Sequence, residues 1–142
     1  YPYEPSLHVP LLAAGPGIPE GETSEALVEL IDLNPTICAL AGLDPQPGID
    51  ARSLEPSLRR PARAHREHVV ATIRQWQCVR THRHKYVENF NAGDELYDLQ
   101  EDPRETRNVL EETRRENPTL AEDLRTHLYA RLTASPYGQP LP

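Results

Sequence analysis

At 142 residues the chain fits one domain or a large part of one, and it is long enough to bury a core. Its net charge of −7 argues against a phosphate-tracking nucleic-acid surface. The lack of any run of about 18 apolar residues argues against a membrane-spanning helix. The 15 prolines are roughly twice the usual share of about 5%, so elements should be short and loops many. The chain begins Tyr-Pro-Tyr and contains no Met, which reads as a truncated or processed product.

In chain order, Val9 to Ala14 is an apolar run closed by Gly15-Pro16-Gly17, the pattern of a buried strand ending in a turn. A polar loop follows over 18–24, then a short extended run over 27–31. Asp32 is placed to cap a helix over 32–41, with Pro35 in its first turn and Gly42 just past its end. Leu33, Ile37, Leu40 and Ala41 give that helix one apolar face. Residues 43–66 are fragmented by prolines and read as a linker, with a helical turn near Ser53-Leu54 and Leu58. From His68 the chain becomes β-rich. Strands are expected over 68–73, 76–81, 84–88 and 95–99, the last two separated by the turn residues Asn91 to Asp94, and short connections favour antiparallel pairing. Asp102-Pro103-Arg104-Glu105 resembles a capping box and predicts a short helix or turn to about Val109. Thr119 to Glu122 offers a second box. Leu120, Leu124, Leu128 and Leu132, with Ala121, then form the stripe of an amphipathic helix that should cover the sheet. Residues 135–142 read as a frayed tail.

Few residues suggest chemistry. His82 and His84 could share a strand face, but no Cys, His or Asp nearby completes a metal set. With Arg80, Arg83 and Lys85 alongside, a solvent-facing basic strand is expected. His8 is read as packing or bonding to a loop, and His65, His68 and His127 as surface positions. Arg59 to Arg63 is read as a solvated basic loop. Cys38 and Cys78 are read as buried free thiols. Asp98, Asp102 and Glu105 form an acidic group for which capping and turn roles suffice. No nucleophile elbow, phosphate-binding glycine loop or His-Glu-x-x-His occurs. The residues alone therefore describe an α+β chain with a small antiparallel sheet under a C-terminal helix, and assign no catalytic, cofactor-binding or metal-binding residue.

The string Glu95-Leu96-Tyr97-Asp98-Leu99-Gln100-Glu101-Asp102-Pro103-Arg104-Glu105-Thr106-Arg107-Asn108-Val109 closely resembles the signature near the end of sulfatases. Val79-Arg80-Thr81 with Lys85-Tyr86-Val87 resembles the family's strand pair upstream of it. Tyr3-Glu4-Pro5-Ser6-Leu7-His8-Val9-Pro10-Leu11 is similar to another family segment, with His8 where Arg is more usual. Asp32-Leu33-Asn34-Pro35-Thr36 with Ala41-Gly42-Leu43, and Asp50-Ala51-Arg52-Ser53-Leu54, resemble two more, Ala51 replacing the common glycine.

This resemblance implies a parent hydrolase of the alkaline-phosphatase-like superfamily that cleaves sulfate esters, with a formylglycine nucleophile and a divalent metal, Ca2+ expected. The formylglycine motif Cys/Ser-x-Pro-x-Arg does not occur in the chain. Nucleophile and metal are thus expected upstream, none is expected to be bound by this segment, and the segment alone is expected to be inactive. The implied fold is the end of the large α/β sulfatase domain over 1–60, including the linker, and a C-terminal subdomain of antiparallel sheet plus helix over 61–142. Implied partners are a sulfate-ester substrate, through the parent, and the N-terminal part of the same fold. The compartment is left open: a cytoplasmic one is favoured, beside an upstream signal peptide. Two alternatives stand beside this reading: a phosphoesterase or phosphonate ester hydrolase of the same superfamily, and a non-catalytic interaction module.

Overall fold

The computed structural model describes residues 1–45 and 50–134. The expected frayed tail, and Pro47 with Gly48 in the linker, lie outside the described residues. The described chain forms two compact units, one of Tyr1–Val9 with His68–Ala134 and one of Pro10–Glu67.

The first unit is built on a four-stranded antiparallel sheet in the order β1-β2-β3-β4, with β1 Val69–Ile73, β2 Trp76–Arg80, β3 His84–Asn89 and β4 Glu95–Asp98. Each strand lies beside the next in sequence, as short connections require. Side chains alternate across the pleat, so the sheet has two distinct faces. Val79, Tyr86 and Leu96 share one face with the helices, where they pack with Leu110, Ala121, Leu124 and Leu128. Trp76, Cys78 and Val87 share the other, with Leu7 and Ala71 against them. Leu7 belongs to a one-turn helix, α1 (Glu4–Leu7). Both faces of the middle strands are therefore covered, which explains their near-continuous burial.

The leucine stripe covers the sheet as expected, on helix α5 (Pro118–Ala134). The helix begins at Pro118, so Thr119 lies within it rather than capping it, and its hydroxyl donates to Asn117 Oδ1 at 3.1 Å. Proline suits this first position because its missing N–H would have no intrahelical partner. The expected helical start at 102–105 is corrected. Glu105 has φ +56°, a left-handed conformation that cannot continue a right-handed helix. Asp102 instead closes a loop, accepting from the N–H groups of Thr106 (2.6 Å) and Arg107 (2.8 Å). A helix that periodicity missed, α4 (Leu110–Glu116), lies before α5. It has a single apolar residue, Leu110, and so shows no stripe.

The second unit contains a 3-10 turn (Leu30–Asp32), helix α2 (Leu33–Leu40) and helix α3 (Glu55–Arg59). Gly42 sits at φ +70° just past α2, and Leu43 N–H reaches Cys38 O at 2.8 Å. This is the helix-ending geometry that glycine permits cheaply. Three expectations fail here. The run from Val9 to Ala14 forms no strand and is exposed, because a strand needs a partner and among the described residues only β1 to β4 pair. Residues 27–31 are irregular until the 3-10 turn. The apolar face of α2 points outward, with Ile37 and Leu40 exposed, while Asp32, Pro35 and Thr36 are buried. Polar partners decide that orientation: Thr36 Oγ1 donates to Asp32 O at 2.5 Å and accepts from Leu54 N–H at 2.7 Å.

Candidate functional site

The functional groups of this chain gather in two charged centres, one in each unit. In the sheet unit the centre is Lys85, on β3 and fully buried. Sequence reasoning places Lys85 on a solvent-facing basic strand, and the structure overturns this. Strand alternation puts Lys85 on the face of Val87, Cys78 and Trp76, which residues 1–9 cover. Its ammonium lies 2.7 Å from Glu4 Oε1 and 2.5 Å from Glu105 Oε1, and donates to Pro2 O at 3.1 Å. Arg80 reaches the same Glu4 at 3.1 Å. Glu4 N–H in turn donates to Glu105 Oε2 at 2.6 Å. Two carboxylates thus meet two cations, a balance that offsets the cost of burying each charge. Burial works to raise the Glu4 pKa, but hydrogen bonds from Arg80 and Lys85 outweigh it and hold the carboxyl below its ordinary 4.5. Glu105 takes its left-handed backbone conformation at this junction. Its assigned role as a capping residue is thereby replaced by an ion pair across the fold.

Tyrosines flank this centre. Tyr97 donates to Glu95 Oε2 at 2.7 Å, and the Tyr3 ring meets it edge-on at 6.2 Å. Burial first, then the Glu95 carboxylate, raise both phenols above their ordinary value. They stay protonated and serve as donors rather than bases.

In the second unit the centre is Asp32, whose side chain is fully buried. It does not cap α2. Its carboxylate accepts from both Nε and Nη2 of Arg66, from Arg52 N–H at 2.8 Å and from Glu29 N–H at 3.1 Å. His65 Nε2 lies 3.0 Å away, so this histidine is tucked inside rather than on the surface. Burial raises the Asp32 pKa, yet Arg66 and the two backbone donors prevail and lower it from 3.8. Arg66 bonds Asp32 through two nitrogens, a forked geometry a lysine could not supply.

The other candidates fall as follows. His82 is exposed in the turn before β3 and His84 opens the strand, 4.0 Å from Asp98, so they do not form a pair on one strand. The exposed Arg83 bonds Asp98, and Asp98 accepts from Gln100 and Glu101 N–H groups, the turn role expected of it. The His68 and His127 rings meet at a tilt of 31°, with centres 4.7 Å apart. His8 is exposed and 3.3 Å from Glu4. Arg59 pairs with Glu55 on α3. Both cysteines are free. Cys78 is buried, which pushes its thiol up to about 11, while Cys38 is only half-buried. Among the described residues, no three His, Cys, Asp or Glu side chains stand close enough to hold a metal ion. No described helix is long and apolar enough to cross a membrane.

The two centres hold fixed, neutralised charges and no free nucleophile or general base. The segments they join are those of the sulfatase-like blocks: Glu4 meets Lys85 and Glu105, and Asp32 meets the backbone of Arg52. Comparison with known proteins follows the same blocks. The C-terminal family of N-sulphoglucosamine sulphohydrolase matches residues 1–134. This chain belongs to that family. Human arylsulfatase K is 31% identical over 125 residues, covering 75% of this chain and 23% of its own length. Human N-acetylglucosamine-6-sulfatase is 50% identical over 58 residues, covering 40% of this chain and 10% of its own length. Among solved structures, a 2-O GAG sulfatase superposes with a TM-score of 0.69 at 29% identity, over 84% of this chain and 28% of its own. A phosphonate monoester hydrolase from Silicibacter pomeroyi gives 0.66 at 27%, over 90% and 29%. The chain spans 25% and 28% of the length of the zebrafish and Xenopus laevis arylsulfatase K relatives. The α+β class of the chain, with its antiparallel sheet and C-terminal helix, agrees with the sulfatase reading.

Proposed function

We propose that this chain is the C-terminal part of an enzyme that hydrolyses sulfate esters. The observation that carries the reading is the family match over residues 1–134, whose sequence blocks coincide with the segments joined at Lys85 and Asp32. In this reading residues 1–60 end the large α/β domain, and 61–142 form the smaller subdomain. The change of unit at His68 supports a division near there.

The carboxylates on this chain do not fit a catalytic cation. Glu4 and Glu105 are taken by Lys85, and Asp32 by Arg66. The divalent metal and the formylglycine of the proposed enzyme therefore belong to residues outside this chain, and no reaction step is assigned to this segment. Its own contribution is rigidity. Lys85 fixes the backbone at Pro2 and the side chain of Glu4, anchoring the segment that leads into the second unit at Pro10. Positioning of this kind matters because misplacement of about 1 Å in a catalytic assembly costs about 100-fold in rate.

Phosphonate monoester hydrolysis is the second reading, supported by the Silicibacter neighbour. The test uses the longest open reading frame that contains this chain. Faster turnover of 4-nitrophenyl sulfate than of 4-nitrophenyl phenylphosphonate is expected. The reverse preference moves the enzyme to the phosphonate branch, and no turnover of either defeats the proposal.

A further inference from the structure

We infer that the Arg63–Ala64 peptide bond is a processing site for an arginine-specific endoprotease, and that the two charged centres keep the cut chain assembled. Arg60 and Arg63 are exposed, in a stretch over 60–68 that forms neither helix nor strand. Exposed irregular segments are where proteolytic nicking concentrates. A protease must draw several residues into an extended line, which takes local opening. From Arg60 to Ala64, among the described residues, two bonds hold the backbone: Arg63 N–H donates to Arg60 O at 2.8 Å, and Ser24 Oγ donates to Pro61 O at 2.7 Å. The other arginines are better protected. Arg74 sits in the tight turn joining β1 to β2, and Arg83 O accepts from Leu99 N–H at 2.7 Å. The N–H groups of Arg52 and Arg107 are held by Asp32 and Asp102. Arg104 precedes Glu105, which is buried and paired with Lys85. The arginines of α4 and α5 are helical. Arg60 itself is followed by Pro61, whose ring and missing N–H disfavour a cut there.

Hydrolysis adds one water across the bond and leaves a carboxylate on Arg63 and an ammonium on Ala64. A guanidinium pairs with a carboxylate through two nitrogens, so acidic pockets spaced for Arg60 and Arg63 would read both. The cut falls inside the Pro10–Glu67 unit, and each unit then holds segments of both pieces. Residues 1–63 supply Glu4 and Asp32. Residues 64–142 supply Lys85 and Arg80 to Glu4, and Arg66 and His65 to Asp32. Leu7 adds an apolar contact with the cluster of Trp76, Cys78 and Val87. Cys38 and Cys78 fall in different pieces and are free, so noncovalent contacts alone join the pieces. The paired charges resist separation, because parting them strands a buried charge without its partner.

The test treats the 142-residue chain with trace trypsin and, separately, with a subtilisin-type protease that requires Arg-x-x-Arg. Mass spectrometry should show a first cut after Arg63 with both. The pieces 1–63 and 64–142 should co-elute on gel filtration and part on a denaturing gel without reductant. Arg63→Gln, at an exposed position, should abolish that cut. Arg60→Gln should slow the subtilisin-type protease by about 10-fold or more, the equivalent of one lost hydrogen bond to a charged group, and leave trypsin unaffected. A first cut elsewhere, cleavage at 63–64 that survives Arg63→Gln, or an unchanged rate for Arg60→Gln with the subtilisin-type protease overturns the site. Separation of the pieces under native conditions overturns the role given to the charged centres.

Discussion

The two units solve the burial problem in opposite ways. The sheet unit holds nearly all the buried apolar side chains, with Val79, Val87, Leu96 and Leu128 wholly inside. In the Pro10–Glu67 unit only Leu27, Pro35 and Leu54 are buried among the described apolar residues, while Leu12, Leu30, Ile37 and Leu43 are exposed. What orders that unit is a charged hub, Asp32 with Arg66 and His65, and not an oily core. The hydrophobic effect dominates folding where apolar area is removed from water, so the first unit can sustain itself and the second depends on a few polar bonds. The comparison implies that equal chemical insults should have unequal consequences in the two units.

The largest effect is expected from Lys85→Ala. It leaves Glu4 and Glu105 facing each other in the interior, with only Arg80 for compensation, and should cost about 3–5 kcal/mol. Urea unfolding followed through Trp76 reads this, and a loss below about 1 kcal/mol would show that the centre adds nothing to stability. Leu128→Ala should cost about 2–5 kcal/mol by opening a cavity between α5 and the sheet. Asp32→Asn strips the charge that Arg66 needs, and its effect should stay local. Amide exchange should accelerate over Pro10–Glu67 and remain slow over β2 and β3. A uniform acceleration would erase the distinction between the units.

The sheet was readable because its signals are local. Val69–Ile73, Trp76–Arg80, His84–Asn89 and Glu95–Asp98 carry β-rich residues between turn residues, and the stripe through Leu124 and Leu128 repeats at helical spacing. Gly42 was readable for the same reason. The charged centres were not, since they join residues far apart in sequence, Glu4 to Lys85 and Asp32 to Arg66. A lysine in a run of basic residues gives no local sign that it turns inward. One hint existed: Lys85 alternates in phase with Val87, so a covered face would bury both. Likewise the outward face of α2 could not be foreseen, because hydrophobic period reveals which side is apolar and not which side finds a partner.

Acid should sharpen the comparison. Both Glu4 and Asp32 have pKa values lowered on folding from 4.5 and 3.8, so the unfolded chain binds more protons than the folded one in acid. Their stabilisation is complete above those ordinary values and disappears as pH falls through the lower folded ones. Thermal stability should be level from pH 7 to about 5 and drop below about 4. The Pro10–Glu67 unit, with little apolar burial in reserve, should open first, as exchange at each pH would report.

The smallest effect on stability is expected from Ile37→Ser. Ile37 is two-thirds exposed on the outward face of α2, so its loss should change unfolding free energy by no more than about 0.5 kcal/mol. Its consequence should appear in association instead. Leu30, Ile31, Ile37, Leu40 and Leu43 lie exposed within a short stretch of chain, and such a surface favours self-association or coverage by another segment. Light scattering should show less self-association for Ile37→Ser than for the parent chain. If unfolding were strongly affected while scattering stayed the same, Ile37 would have to be buried in solution, and the contrast between an oily unit and a polar one would no longer hold.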